Sequence, residues 1–312
     1  MGPVSAFVVA RNGSKRLPGK VMADVNGLPV LEHIYNRLIA SPFIDEVVFV
    51  TSTLKSDDVI EKLTLKLNSK CFRGDPDDVL DRIYNASLET SSDLILEVGG
   101  DCPLIDPGLI RRGIEEYEEH DADFTSNAFF PPFTYPVGYD FSLIKKSALA
   151  KLHKMAKLKS ERLQPFQFIV RHQEIFSIRH FTISPSYNHF RWTLDYQEDL
   201  DLLRAIFLNF KNSEGVFGYS EIISYLNENP HIVEINSKYA DAIEVSTAWH
   251  TGSYVNEMHE DIITLLAAAK DMDNKADWSN ARQGYENAES LVSELLKRIE
   301  CFEAANSVEI AL

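Results

Sequence analysis

Cysteine is scarce in this chain. Only Cys71, Cys102 and Cys301 occur in 312 residues, an odd number with no CxxC pair. A disulfide framework and a cysteine zinc site are both excluded, and the expectation is a reducing, cytoplasmic compartment. Long apolar runs are missing too: nothing approaches the roughly 18–20 residues that span a bilayer. The N-terminal "VSAFVVA" has neither a basic leader nor a small-residue cleavage site, so no signal peptide is expected. Positive charge is also short. Lys and Arg number 31 against 47 Asp and Glu, a net charge of −16, which argues against nucleic acid or an anionic membrane as a major partner. The nine histidines include no HxxxH pair, and no GxSxG nucleophile motif occurs. No internal repeat or low-complexity segment interrupts the chain.

The remainder is ordinary for a globular protein, with 45% hydrophobic and 25% charged residues. Its charge is uneven. Residues 213–312 hold 18 acidic and 6 basic side chains, a net of −12, which leaves −4 for residues 1–212. Residues 1–20 carry Arg11, Lys15, Arg16 and Lys20 and no acidic side chain. An acidic protein that gathers cations in one glycine-containing loop has a use for them on an anion.

Up to about residue 120, short apolar runs alternate with amphipathic stretches. "VSAFVVA", "EVVFVTS", "KCFRG" and "DLILEV" read as strands. The helical stretches include "PVLEHIYNRLIAS" with Val30, Ile34 and Leu38 on one face, "DDVIEKLTLKL", "DPDDVLDRIYNASLE" with Asp75 as N-cap and Pro76 in the first turn, and a helix after Asp106-Pro107. This alternation predicts an α/β fold with a mainly parallel sheet and right-handed crossovers, with ligands bound at the C-terminal ends of strands. Residues 123–145 are aromatic and proline-rich; Phe129, Phe130, Phe133 and Tyr135 there suit core or a dimer contact. Helices are expected at about 145–171, strands in "IFSIRHFTI" and "HFRWTLD", and an amphipathic helix in "QEDLDLLRAIFLNF". Beyond a boundary near 213, the acidic remainder shows a helical stripe of Ala288, Leu291, Leu295 and Ile299.

The chemistry concentrates in three places. "ARNGSKRLPGK" (10–20) resembles a P-loop but has five residues between Gly13 and Gly19, and Val21 follows Lys20. Its glycines admit a close ligand and its four cations neutralise a polyphosphate. "GGDCPLID" (99–106) places Asp101 after an apolar strand, where one carboxylate suits Mg²⁺ shared with substrate phosphates. "RWTLD" (191–195) places Asp195 at an expected strand end before a helix. Each Asp alone reads equally well as a helix cap; together with the basic loop, the pair suits metal-assisted phosphoryl or nucleotidyl transfer. In "FRGDPDDVLDR" (72–82) the acids are first-turn helix stabilisers.

"ARNGSKRLPGK", "FRGDPDDVLDR", "GDCPLIDP" (100–107), Ser126-Asn127, "GYD" (138–140) and "RWTLDYQEDL" (191–200) occur in this order. In this the chain resembles the cytidylyltransferases of spore-coat polysaccharide biosynthesis and, more distantly, acylneuraminate and 3-deoxy-manno-octulosonate cytidylyltransferases, over residues 4–210. The resemblance implies a Rossmann-like nucleotidyltransferase fold for residues 1–212; the acidic, mostly helical extension 213–312 has no counterpart in it. It implies a cytoplasmic homodimer that uses CTP and Mg²⁺ to activate a sugar, sugar acid or sugar phosphate as a CMP or CDP conjugate. By match to the family loop, Ala10, Arg11, Asn12, Gly13, Ser14, Arg16 and Lys20 would hold the nucleotide, and Arg11, Lys20 and Asp101 would serve the transfer. Arg73 would lie near base and ribose, Asp101 and Asp195 would hold the metal, and Ser126, Asn127 and Asp140 would face the acceptor. Departures from the family pattern include Val21 and, on the acceptor side, Glu97, Gly99, Ser142 and Gln164. A nucleotide-sugar glycosyltransferase is the competing enzyme reading, although it would leave the basic loop without a purpose. A degenerate nucleotide-binding subunit is the non-catalytic one.

Overall fold

A computed structural model describes residues 2–213, 215–239, 261–267, 269–272, 280–290 and 292–293. The elements run β1 (Val4–Val9), a small hairpin of β2 (Asp24–Val25) and β3 (Leu28–Pro29), α1 (Val30–Ile39), β4 (Glu46–Ser52), α2 (Asp58–Leu67), β5 (Lys70–Gly74), α3 (Val79–Leu88), β6 (Leu94–Gly99) and α4 (Pro107–His120). They continue with β7 (Phe124–Ser126), β8 (Ser142–Lys145), α5 (Lys146–Met155), α6 (Lys159–Leu163), α7 (Pro165–Arg171), β9 (Ile178–His180), α8 (Gln197–Asn209), α9 (Tyr219–Glu228) and α10 (Pro230–Val233).

Seven strands form one sheet in the order β5-β4-β1-β6-β8-β7-β9. The first four are mutually parallel; β8 runs antiparallel to both β6 and β7, and β9 is parallel to β7. This is the mainly parallel sheet that the alternation predicts. Strand alternation divides the core. Val4, Ala6 and Val8 of β1 face a layer built from α1, α2, α4, α8 and α9, while Phe7 faces α3, α5 and α7. The helical stripe expected on α1 is present, with Val30, Ile34 and Leu38 fully buried. At about 1.5–3 kcal/mol for each large apolar side chain removed from water, these two layers hold the strand ends that carry the loops.

Several local expectations are corrected. Asp75 does not cap α3: its carboxylate closes a turn onto the Asp77 amide, and Asp78 is the N-cap, accepting from the Asp81 amide at 2.8 Å. "HFRWTLD" is not a strand. It is threaded between two segments, with Trp192 N donating to Val137 O (2.7 Å) and Leu194 N to Asp101 O (2.9 Å), so no ladder propagates. The core reading of the aromatic segment, by contrast, holds at Tyr135, which is buried together with Val137 and Tyr139.

The core also runs past the boundary expected near 213. Phe217, Ile222, Ile223 and Leu226 join the same layer as β1, and the buried Arg37 donates to Phe217 O at 2.8 Å. Farther on, residues 261–267, 269–272 and 280–290 are helical. Asp261 caps α6, accepting from the amides of Lys159 (3.2 Å) and Ser160 (3.0 Å). Of the expected stripe, Ala288 is buried; Leu291, Leu295 and Ile299 lie outside the described residues, as do 240–260. Among the described residues no helix is long and apolar enough to cross a membrane.

Candidate active site

The loop after β1 is pinned at its start. Asn12 N donates to Asp57 Oδ1 at 2.8 Å. Asp57, fully buried, also accepts from the Thr51 hydroxyl and from both the amide and hydroxyl of Ser52 through Oδ2. Burial opposes its charge, but these donors outweigh burial and hold its carboxyl below the usual carboxylate range. The loop then turns back on itself: Gly19 N donates to Asn12 O (3.2 Å), and Gly19 sits at φ +74°, in the left-handed region. Ser14 Oγ accepts from the Leu17 amide at 3.3 Å. Ala10 packs against Gly100; a side chain at 100 would place its Cβ 2.5 Å from that of Ala10. This close approach brings the end of β6, and with it Asp101, beside the loop.

Lys20 is the hinge of the arrangement. Its ammonium lies 2.6 Å from Asp101 Oδ2 and 2.8 Å from Asp195 Oδ1. Burial works against the ammonium, yet the two carboxylates more than offset it and raise its pKa. Asp195 collects further cations, Arg16 at 2.5 Å on Oδ1 and Arg191 at 2.9 Å on Oδ2. Although buried, it is thereby held at a pKa of about 2. Arg191 is fixed in turn by Asp199, and Asp199 accepts from the amides of Asp195 and Tyr196 (2.9 Å each). Asn236, beyond α10, donates to Asp199 Oδ1 at 2.9 Å and to Arg191 O at 3.0 Å. Tyr239 stacks on Tyr196 with centroids 4.0 Å apart and planes 8° apart. The irregular 191–196 segment is locked to the fold by Gly138, at φ +85°, where a Cβ would stand 2.3 Å from Thr193 N.

The structure therefore unites Arg16, Lys20, Asp101 and Asp195 from three distant parts of the chain. Arg11 is exposed on the loop and makes no ion pair or hydrogen bond among the described residues, so its guanidinium is available to a ligand. Gly13 opens onto free space. Arg73 is not brought into the cluster. Its guanidinium is spent on Asp58 (2.8 Å), Glu61 (2.7 Å) and the carbonyls of Ser52 and Leu54. Ser126 and Asn127 are likewise structural. Ser126 Oγ donates to Phe141 O, while Asn127 donates to Tyr139 O and accepts from Phe141 N, stapling β7 to the segment before β8. Asp140 accepts from the Gly138 amide at 2.9 Å. Glu97, on β6, is pushed up to about 8 by burial and by its neighbours Asp140 and Asp101. Sequence reasoning overlooked Asp57, Arg191, Asp199 and Asn236, whose roles depend on burial and long-range partners; only the spacing of Arg191, Asp195 and Asp199 was visible.

The donor set fits Mg²⁺ of one kind. Two carboxylates converge on a single cation, and no cage of three His, Cys, Asp or Glu side chains forms among the described residues. That suits an ion shared with ligand phosphates rather than enclosed by protein.

Comparison with known proteins adds the following. Residues 5–245 match the profile of a family described as cytidylyltransferase. An uncharacterized protein of Methanocaldococcus jannaschii is 31% identical over 237 residues, covering 75% of this chain and 94% of that protein. The spore coat polysaccharide biosynthesis protein SpsF of Bacillus subtilis is 26% identical over 239 residues, covering 74% and 96%. A solved cytidylyltransferase from Leptospira borgpetersenii serovar Hardjo-bovis superposes with a TM-score of 0.70 at 28% identity, covering 75% of this chain and 97% of that one.

Proposed function

Since the chain belongs to the cytidylyltransferase family, we propose that it transfers CMP from CTP to a sugar-type acceptor, with Mg²⁺, releasing pyrophosphate. The observation that carries this reading is the Lys20–Asp101–Asp195 cluster beside a cationic loop at the C-terminal ends of β1 and β6. An acceptor in surface polysaccharide or glycoconjugate synthesis is suggested by the similarity to SpsF, a spore coat polysaccharide biosynthesis protein.

The acceptor hydroxyl oxygen attacks the α-phosphorus and gives up its proton to solvent, the bond from the α-phosphorus to the bridging β-phosphate oxygen breaks, and pyrophosphate leaves with the bonding pair. Negative charge develops on the leaving oxygens. Arg11 and Arg16 lie on the loop that would face them, and backbone amides of 13–15 add donors. Mg²⁺ held by Asp101 and Asp195 would supply Lewis-acid polarisation of the phosphates. Lys20, Arg16 and Arg191 keep the Asp195 carboxylate ionised, and Asp199 fixes Arg191 in place. Asp140 remains the acceptor-side candidate, since Ser126 and Asn127 are committed to the backbone.

The test is pyrophosphate release over the four nucleoside triphosphates, with panels of sugars, sugar acids, sugar phosphates and divalent metals. Release with CTP and Mg²⁺ and one acceptor class is expected. No release from any nucleotide under any metal overturns the reading. Homodimer formation belongs to the same proposal, and light scattering at working concentration decides it.

A further inference from the structure

The cation that unites Asp101 and Asp195 is one of the protein's own. Lys20 Nζ sits 2.6 Å and 2.8 Å from one oxygen of each carboxylate, where a shared divalent ion would be bound. Asp195 has no oxygen left over, since Arg16 shares Oδ1 and Arg191 holds Oδ2. Within the ion-paired set itself, the three cations Lys20, Arg16 and Arg191 match the three carboxylates Asp101, Asp195 and Asp199. The Asp101–Asp195 pair therefore already has its counter-charge in place. A divalent ion entering among these oxygens would meet an ammonium in van der Waals contact, and like charges at that range in a partly dry site repel strongly.

The Lys20 side chain has an alternative. It rises from the same loop that carries Arg11, Gly13 and Arg16, and its four-carbon stem is flexible. A polyphosphate lying on that loop offers the ammonium new anionic partners and simultaneously offers the metal its missing oxygen ligands.

We propose that Lys20 is a placeholder cation: without nucleotide it holds the Asp101–Asp195 pair closed to divalent metal, and it hands the pair over when a nucleotide's phosphates take its ammonium. This rests on the assignment of Asp101 and Asp195 as metal ligands. Metal and nucleotide then bind with strong positive coupling, and by linkage each raises the affinity of the other equally.

The experiment uses the full chain and Mn²⁺, with bound metal read by electron paramagnetic resonance and calorimetry, so that no turnover is required. Wild-type protein without nucleotide is expected to bind Mn²⁺ weakly, and a non-hydrolysable CTP analogue should tighten binding by about tenfold or more. Lys20→Met should bind Mn²⁺ without nucleotide about tenfold or more tighter than wild type. Lys20→Arg, which keeps a cation between the carboxylates, should exclude the metal as wild type does. Circular dichroism and a melting curve check that each variant is folded. Equal Mn²⁺ affinity in wild type and folded Lys20→Met overturns the proposal. So does strong Mn²⁺ binding by wild type that the analogue does not change. Failure of the underlying assignment reads differently: Asp101→Asn would then leave Mn²⁺ binding to the analogue-loaded wild-type background unaltered.

Discussion

The Asp101 carboxylate pairs with Lys20, accepts only a long contact from the Cys102 thiol, and lies beside the loop that would carry the phosphates. Asp101→Asn keeps the shape and removes the charge. It should lower pyrophosphate release by about 10²–10³-fold while the melting temperature moves little; full activity in this variant would remove the metal assignment. Glu97 yields a prediction in stability. Its folded pKa of about 8 stands above the roughly 4.3 of an unfolded glutamate. Between those values the folded state keeps a proton that the unfolded chain has released. Stability is therefore fully present below about pH 4 and lost as pH rises to about 8, by an amount on the order of a few kcal/mol. Glu97→Gln lacks this slope, so denaturant titrations at pH 5 and pH 8 should show it gaining on wild type as pH rises; parallel curves would contradict the raised pKa of Glu97. At this scale the sequence was legible wherever a motif names its own chemistry. Arg16, Lys20, Asp101 and Asp195 were singled out and do meet. Arg73, Ser126 and Asn127 were placed on a ligand because motif position says nothing about which backbone carbonyl a side chain finds first.

Elements with a clean period were readable, and those held by neighbours were not. α1, β4, β5 and β6 fall where apolar alternation or a helical stripe puts them. The 191–196 segment looks like a strand because Phe190, Trp192 and Leu194 alternate with polar residues, and all three are indeed buried. Its backbone, however, bonds to Val137 on one side and Asp101 on another. The period reported burial, whereas pairing was decided by tertiary contacts. What aims Asp195 is the contact between this segment and residues 234–239. Asn236 is the bridge, nearly fully buried and bonded to both Asp199 and Arg191. Asn236→Ala leaves an acceptor of Asp199 short of a donor and should cost about 1–3 kcal/mol of stability. It should also raise the metal concentration needed for half-maximal rate more than it lowers the rate at saturating metal. A loss of stability with an unchanged metal requirement would show that Asn236 supports the fold without aiming the carboxylate.

The whole chain is organised differently from its charge. Composition shifts at about 213, and the sequence reading placed a boundary there. The apolar core ignores it. Phe217 and Ile222 lie in the layer that covers β1, Arg37 reaches across to Phe217 O, and Asn236 completes the polar lattice behind Asp195. Charge on a solvent-facing surface changes without regard to what lies beneath, so a run of acidic residues says little about where a core ends. The family match, which extends to residue 245, agrees with the packing. Two truncations separate these views. A chain ending at 212 uncovers Ile206 and Phe207 of α8 and strands the buried Arg37 without its carbonyl. At about 2–5 kcal/mol for each large buried side chain lost from a core, it should fail to give a cooperative melt. A chain ending at 245 keeps Phe217 through Tyr239 and should fold and bind CTP. Its cost should fall on α6, which loses the Asp261 cap at about 1 kcal/mol. Hydrogen exchange would show this as faster opening of residues 159–163, with β1, β4 and β6 still protected. A cooperative, CTP-binding protein ending at 212 would restore the boundary that composition suggested.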